Sequence, residues 1–296
     1  MSVIAFVGLG AMGGPMATNL VRGGHTVNGF DPSEEACSTA AVNGVRIFDR
    51  AEETVWNADL VITMLPSGSS VHKVLLGDAG LIALVKPGTL LIDSSSIDVS
   101  TSKAVHASAE TAGVHCLDAP VSGGIAGAVA GTLTFMVGGS VEVLEMARPV
   151  LDSMGTTIVH VGEGGTGQAA KTCNQMLFGT TLTAVSEMFV LATSLGLDHK
   201  ALWNIVTNST GDCRALRHFC PAPDVVPGSA ADNDYKPGFS ASLMLKDLNL
   251  SLMAAAATGQ KLPLAESAAD AYCDLVAQFD ALDCSAIIKV VPTTSR

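Results

Sequence analysis

A glycine-rich turn near the start of the chain has the composition of a phosphate-binding loop. Gly8, Gly10 and Gly13 stand in the order G-x-G-x-x-G, directly after an apolar run and before a helical pattern. The first glycine of such a turn permits a tight bend, the second lets the backbone approach a pyrophosphate, and the third lets the helix pack closely on the strand. The predicted dinucleotide contacts are Gly8, Leu9, Gly10, Ala11, Met12 and Gly13.

An acidic residue follows this loop at the distance that a dinucleotide-binding unit requires. Asp31 stands about 20 residues further on, at the end of the next strand-like run. A carboxylate there accepts hydrogen bonds from a ribose 2′-hydroxyl and repels a 2′-phosphate. The pair of features predicts NAD rather than NADP. The alternative is an ordinary glycine turn with Asp31 as a surface cap.

One lysine lies in unusually apolar surroundings. Lys171 is placed among Ala, Leu, Met and Thr on a helical pattern that follows the glycine cluster 162–167, and Asn174 and Gln175 share its helix face at i+3 and i+4. Partial desolvation lowers the pKa of a lysine toward the range of a general acid or base. That chemistry suits the interconversion of an alcohol and a carbonyl. From spacing alone, a surface lysine is the better interpretation.

Four other segments are candidates for the same site. Leu65-Pro66 and the serines 94–96 follow strand-like runs, where ligands of open α/β sheets bind, although the serines could simply cap a helix. Ser122, Gly123 and Gly124 could form an anion-binding nest of backbone N–H groups, or an ordinary turn. For Lys246-Asp247 the residues alone favour a solvated ion pair.

Short β-branched runs alternate with helical patterns in the first half of the chain. The runs predict strands at Val3–Val7, Thr26–Phe30, Leu60–Leu65, Leu90–Asp93, Leu133–Val137 and Ile158–Val161. This rhythm predicts an α/β domain with a doubly wound, mostly parallel Rossmann-type sheet at residues 1–163. Helical periods then predict an all-α domain at 164–296, interrupted by a Pro-rich segment at Cys220–Gly238.

Composition limits the class of protein. A net charge of −12 argues against a nucleic-acid partner, because that affinity depends on Lys and Arg. The seven cysteines are odd in number and lack zinc-site spacing, so we expect reduced thiols in a cytoplasmic protein without a metal. The apolar run that starts at Val3 leaves no room for a signal peptide. With Gly, Pro and charges counted as breaks, no stretch is long enough for a membrane helix.

The ordered motifs resemble those of the 3-hydroxyisobutyrate dehydrogenase branch of the β-hydroxyacid dehydrogenases. The matching segments are Phe6–Leu20, Asp118–Gly124, Gly167–Asn174 and Gly238-Phe239 with Lys246-Asp247. The resemblance implies a Rossmann-type domain followed by a helical domain, and reversible oxidation of 3-hydroxyisobutyrate to methylmalonate semialdehyde with NAD in valine catabolism. It makes Lys171 the acid–base residue, assisted by Asn174 and Gln175. It assigns substrate contacts to Ser122, Gly123, Gly124, Phe239 and Asp247, and further cofactor contacts to Leu65, Pro66, Ser96 and Lys246.

Two positions depart from the pattern of that branch. Gln175 replaces a second Asn, as in the related tartronate-semialdehyde reductases, and Arg214 replaces a Trp. An arginine near the pocket could bind an additional carboxylate, or could simply face solvent. The Pro-rich segment, however, resembles the hydroxyisobutyrate branch. A tartronate-semialdehyde reductase is the alternative enzyme, and a non-catalytic NAD-binding module is the alternative of another class. The apolar helical half predicts a homodimer or homotetramer.

Overall fold

The computed structural model describes residues 1–292, which divide into two compact units. The first unit is Met1–Lys171, and the second begins at Thr172. The long helix that starts at Thr166 therefore contributes its first residues to one unit and the remainder to the other.

The first unit is built on a mostly parallel sheet. Its path runs β3-β2-β1-β4-β5-β6-β8-β7, and β9 pairs with β8. Strands β1 to β6 pair in parallel, β8 is antiparallel to β6 and β7, and β9 is parallel to β8. The order reverses beside β1, where doubly wound sheets bind ligands. The strands are Val3–Val7 (β1), Thr26–Phe30 (β2), Arg46–Ile47 (β3), Leu60–Thr63 (β4), Leu90–Asp93 (β5), His115–Asp118 (β6), Val121–Ser122 (β7), Leu133–Gly138 (β8) and Gly155–Gly162 (β9).

Both faces of this sheet are covered, which is why apolar residues dominate its central strands β1, β4 and β5. Ile4 and Phe6 of β1 join one apolar cluster, whereas Ala5 and Val7 join another. Alternate residues of a strand point to opposite faces, so the two clusters lie on the two sides of the sheet. The predicted Rossmann-type architecture is confirmed, with the antiparallel β7–β8 pair as an addition that the strand pattern did not reveal.

Helices connect the strands, and some of them begin at a side chain that caps the first turn. The hydroxyls of Ser33, Ser67 and Ser140 and the carboxylate of Asp98 each accept a backbone N–H from the first turn of the following helix. The helices are Gly13–Arg22 (α1), Glu34–Val42 (α2), Ala51–Thr54 (α3), Gly68–Leu76 (α4), Leu81–Leu84 (α5), Val99–Thr111 (α6), Gly124–Ala130 (α7) and Val141–Leu151 (α8).

The second unit is helical, as predicted. Its core includes Leu182, Phe189, Met244 and Tyr272, which are fully buried. The elements are Thr166–Ser194 (α9), His199–Val206 (α10), Arg214–His218 (α11), Ala241–Ala257 (α12) and Pro263–Phe279 (α13), with 3-10 turns at Ala231–Asn233 and Cys284–Val290. The Pro-rich segment is irregular apart from the first of these turns.

Helix α9 is long and apolar enough to cross a membrane by length and composition, with a mean hydropathy of 1.4 in its most apolar window. The sequence expectation of no such stretch depended on counting glycines and charges as breaks. Central helices of water-soluble proteins pass the same test. Leu182, Val185 and Phe189 of α9 belong to the core of the second unit, and 33% of the most apolar window of the helix is buried.

Candidate active site

The glycine loop leaves an open backbone surface at the start of α1. A Cβ atom on Gly8 would lie 2.2 Å from the carbonyl oxygen of Met64, and one on Gly13 would lie 1.9 Å from that of Gly8. A Cβ on Gly10 would meet nothing within 4 Å. The outer glycines are therefore required by packing, whereas Gly10 keeps an exposed surface free of side chain. No side chain caps the first turn of α1, so its N–H groups suit a pyrophosphate.

Asp31 links this loop to the end of β2. Its Oδ2 accepts the backbone N–H of Leu9 at 2.8 Å, and its Oδ1 accepts that of Ser33 at 2.8 Å. Each carboxylate oxygen retains a further lone pair, so Asp31 can also accept hydrogen bonds from a ribose. The Asp31 carboxylate thus lies against the dinucleotide loop, although it is 22 residues away from Leu9 in the sequence. A capping role and a ribose-binding role are compatible at this residue.

The ends of β4 and β5 are joined by a buried hydrogen-bond network. The hydroxyl of Ser95 donates to Oδ1 of Asp93 at 2.6 Å and accepts the N–H of Leu65 at 2.9 Å. Thr63 donates to the same Asp93 oxygen at 2.7 Å. Burial raises the pKa of the Asp93 carboxyl. The network holds the backbone at Leu65 and immediately before Ser96. Pro66 beside it is exposed, and Ser96 is half-buried.

Lys171 is buried, with an exposed fraction of 8 %, so the interpretation as a surface lysine is wrong. Its Nζ donates to the carbonyl oxygen of Val121 at 2.8 Å, next to Ser122. Gly123 and Gly124 follow with φ angles of 139° and 62°, which residues with a side chain rarely adopt. Within the first unit, the structure thus brings the lysine to the polar turn that the sequence singled out.

A second polar cluster lies within the helical unit. Gln175 is buried, and its Nε2 donates to Oδ2 of Asp247 at 2.7 Å, while its Oε1 accepts from Asn174 at 2.9 Å. The Nζ of Lys246 lies 3.5 Å from Oδ1 of Asp247. Because Asp247 is only 3 % exposed, the expected solvated ion pair is instead a half-buried lysine on a buried carboxylate. Such a carboxylate requires partners. Gln175 donates a hydrogen bond to Oδ2 and Lys246 forms an ion pair with Oδ1, which accepts no hydrogen bond from the residues that the structure describes.

Two candidate substrate contacts lie elsewhere in this unit. Arg214 is exposed at the first residue of α11, which agrees with the solvent-facing interpretation of this arginine. Phe239 packs partly into the helical core, and its backbone N–H donates to the buried carboxylate of Asp283 at 3.1 Å. The same oxygen accepts the N–H of Gly238 at 3.0 Å, so Asp283 fixes the end of the Pro-rich segment.

Sequence reasoning missed the polar residues that support the start of α9. Asp118 accepts N–H groups of Gly165 and Gln168 and contacts His106 at 2.9 Å. Gln168 in turn binds the backbone of the serine segment. Both residues stand inside motifs quoted for the resemblance, and both are polar residues in otherwise apolar or Gly-rich surroundings. This contrast with the neighbouring residues was the feature by which the sequence could have identified them.

Comparison with known proteins covers almost the whole chain. Residues 3–162 match the model of the NAD binding domain of 6-phosphogluconate dehydrogenase, and 165–291 match that of the NAD-binding domain of NADP-dependent 3-hydroxyisobutyrate dehydrogenase. A Mycobacterium tuberculosis protein named "Probable 3-hydroxyisobutyrate dehydrogenase" is 51% identical over 98% of both chains. The chain belongs to the β-hydroxyacid dehydrogenase family. This dehydrogenase therefore uses a nicotinamide dinucleotide and acts on a CH–OH group.

Two further relatives concern the substrate of this β-hydroxyacid dehydrogenase. An NAD-dependent L-serine dehydrogenase of Pseudomonas aeruginosa is 43% identical over 92% of this chain and 91% of its own. A solved structure of the Mycobacterium tuberculosis 3-hydroxyisobutyrate dehydrogenase with L-serine superimposes with a TM-score of 0.94 at 50% identity, covering 99% of this chain and 100% of the other. The alternative of a non-catalytic NAD-binding module is not supported, because these relatives are named as dehydrogenases.

Proposed function

We propose that the protein oxidises 3-hydroxyisobutyrate to methylmalonate semialdehyde with NAD, as a step of valine catabolism. The observation that carries the proposal is the buried Nζ of Lys171 at the carbonyl of Val121, directly before the Ser122-Gly123-Gly124 turn. An acid–base group and a candidate carboxylate-binding turn are thereby adjacent. A 3-hydroxy acid offers both a hydroxyl and a carboxylate for these two groups.

In the proposed reaction, Lys171 and the turn at Ser122 have different roles. In the direction of oxidation, the neutral amine of Lys171 takes the hydroxyl proton, while its N–H groups keep the bond to Val121. The N–H groups of Gly123 and Gly124 and the hydroxyl of Ser122 hold the carboxylate. NAD, when bound at the glycine loop, supplies the acceptor for the hydride that leaves the carbinol carbon. Oxidation of one alcohol thus yields one carbonyl, one NADH and one proton.

The polar cluster of the helical unit supports the substrate in this proposal. The amide of Gln175 is oriented by Asp247 and Asn174, so its position is fixed before any ligand arrives. A preorganised amide loses little freedom when it binds a hydroxyl or carboxylate. We assign Asn174 and Gln175 to the substrate, with Phe239 as an apolar contact. We assign Lys246 to the cofactor, as the resemblance to the family implies.

We infer a preference for NAD over NADP from Asp31. The carboxylate accepts N–H groups of Leu9 and Ser33, which holds its charge at the dinucleotide loop. A 2′-phosphate there would bring two negative groups together. One matching family model is described by an NADP-dependent enzyme, so the preference needs measurement.

L-Serine is the second candidate substrate, on the strength of the two relatives that name it. It shares the carboxylate and the 3-hydroxyl of hydroxyisobutyrate and replaces a methyl group by an ammonium group. Tartronate semialdehyde remains the third candidate because of Gln175. Arg214 is exposed, so its guanidinium is free to meet solvent or a polar group of a substrate, and its part in the choice stays a prediction.

A substrate panel tests the proposal. Reduction of NAD and NADP is followed at 340 nm with 3-hydroxyisobutyrate, 3-hydroxypropionate, L-serine, glycerate and 4-hydroxybutyrate. We expect the highest kcat/KM for 3-hydroxyisobutyrate with NAD, and a loss of at least about tenfold for 3-hydroxypropionate, which lacks the methyl group. Faster turnover of L-serine or glycerate would replace the proposed substrate, and equal use of NADP would remove the role of Asp31.

We further propose that the enzyme is a cytoplasmic homodimer or homotetramer without nucleic-acid or membrane partners. Leu177, Leu191 and Leu195 share one face of α9 and are each more than half exposed, which suits contact with a second copy. All seven cysteines are free, in keeping with a reducing compartment. Light scattering at micromolar concentration should give at least twice the 30.2 kDa of one chain. A single-chain mass would contradict the oligomer.

A further inference from the structure

The serine segment at the end of β5 is held by one buried side chain of α9. The Nε2 of Gln168 donates to the carbonyl oxygen of Ser95 at 2.7 Å, and its Oε1 accepts the N–H of Ile97 at 3.1 Å. Gln168 is 1 % exposed. The two bonds enclose Ser96, so the backbone on both sides of this candidate cofactor contact is fixed by a single amide.

The same segment is held from the sheet side by Ser95 and Asp93. The Ser95 hydroxyl bridges Asp93 and the N–H of Leu65, so hydrogen bonds join the end of β5 to the end of β4. Gln168, which lies on α9, connects this network to that helix. The loop ends at which a dinucleotide binds are thus attached to the helix that carries Lys171.

Gln168 is itself held in place at the first turn of α9. The backbone N–H of Gln168 donates to Oδ2 of Asp118 at 2.8 Å, and the N–H of Gly165 donates to Oδ1 at 2.7 Å. Lys171 follows Gln168 by three residues, which places the two on neighbouring turns of one helix face. A displacement of the Gln168 side chain would therefore change the distance between Ser96 and Lys171.

We propose that Gln168 is a positioning residue that keeps the cofactor segment at Ser96 in register with Lys171. The inference rests on the proposed function, in which Lys171 takes the proton and the dinucleotide takes the hydride. Both transfers require the carbinol carbon at defined distances from two groups, and misplacement by about 1 Å can cost about a hundredfold in rate. Gln168 acts through Ser96 and Lys171 and touches neither reactant.

The main test replaces Gln168 by methionine, which has similar length and no polar atoms. We expect Gln168→Met to weaken NADH binding, measured by fluorescence titration, and to lower kcat by between about tenfold and a hundredfold. The KM for the hydroxy acid should change little, because the turn at Ser122 is untouched. Gln278→Met is the matched control, since this glutamine is exposed on α13 and its amide donates to the carbonyl of Asp274 on its own helix.

A double-mutant cycle separates positioning from general destabilisation. Ser96→Ala and Gln168→Met are measured alone and together, for NADH affinity and for kcat, at a temperature where all variants are folded. If Gln168 acts through the Ser96 segment, the double variant loses less than the product of the single losses. Losses that multiply, or NADH affinity and kcat both within twofold of the unmodified enzyme, would overturn the proposal.

Two further arrangements keep the test decisive. If Gln168→Met does not fold, Gln168→Glu retains the acceptor for Ile97 and places an oxygen against the Ser95 carbonyl, so NADH binding should still weaken. The NADH titration needs no substrate. It therefore reports on Gln168 even if no hydroxy acid of the panel is oxidised, which would contradict the proposed function alone.

Discussion

Replacement of Lys171 by alanine should abolish most turnover while NADH binding is retained. Loss of a positioned general acid or base lowers rates by about 10²–10⁴-fold, and we expect kcat/KM of Lys171→Ala to fall within that range. The dissociation constant of NADH should stay within about threefold, because the glycine loop and Asp31 lie on other elements. Steady-state kinetics and fluorescence titration of the same preparation provide both numbers.

The control for this experiment must separate chemistry from packing. Lys171→Ala leaves a cavity and removes the donor from the Val121 carbonyl, which costs about 1–3 kcal/mol of stability. Lys171→Met fills most of the cavity and should be as inactive as the alanine variant. Lys200→Ala, at an exposed lysine of α10, should be fully active. Activity of both Lys171 variants within about tenfold of the original enzyme would remove this lysine from the mechanism.

The fold was predictable from the sequence because its signals are local. The apolar runs at Val3–Val7 and Leu90–Asp93 coincide with β1 and β5 to the residue, since strands covered on both faces consist of buried residues. The two-residue strands Arg46–Ile47 and Val121–Ser122 were missed, and so was His115–Asp118, whose histidine and aspartate interrupt the apolar pattern. Two residues are too few to show an alternating pattern of apolar and polar side chains. Such short strands form by pairing with the backbone of a longer neighbouring strand.

The candidate site was predictable for residues that belong to a sequence motif. It was not predictable for residues whose role depends on whether the side chain is buried. The order of glycines before α1 required no tertiary information. The positions of Lys171 and Asp247 did, because the residues alone favoured a surface lysine and a solvated ion pair, whereas both side chains are buried. Gln168 and Asp118 escaped attention for the same reason: the groups that join them to the start of α9 and to the serine segment lie 47 to 73 residues away in the chain.

The glycine loop allows folding and cofactor binding to be separated by two substitutions of the same size. In Gly13→Ala the new Cβ would lie 1.9 Å from the carbonyl oxygen of Gly8 and 3.0 Å from the ring of Phe6. The first of these is a backbone atom of the turn directly after β1, which cannot move aside without a shift of the loop. We expect a loss of about 1–3 kcal/mol or more in unfolding free energy, with a lower Tm and loss of NADH binding.

Gly10→Ala should leave the free protein almost unchanged. Its φ lies outside the left-handed region and its Cβ would meet nothing within 4 Å, so Tm should stay within about 2 °C. A methyl group there nevertheless occupies the surface at which a pyrophosphate approaches the backbone. NADH affinity should therefore fall by more than about tenfold, which corresponds to about 1.4 kcal/mol.

Thermal unfolding with and without NADH measures both effects, since the ligand should raise the Tm of the original enzyme but hardly that of Gly10→Ala. Unchanged NADH affinity in Gly10→Ala would mean that the pyrophosphate does not lie on this loop, even if Gly13→Ala unfolds as expected.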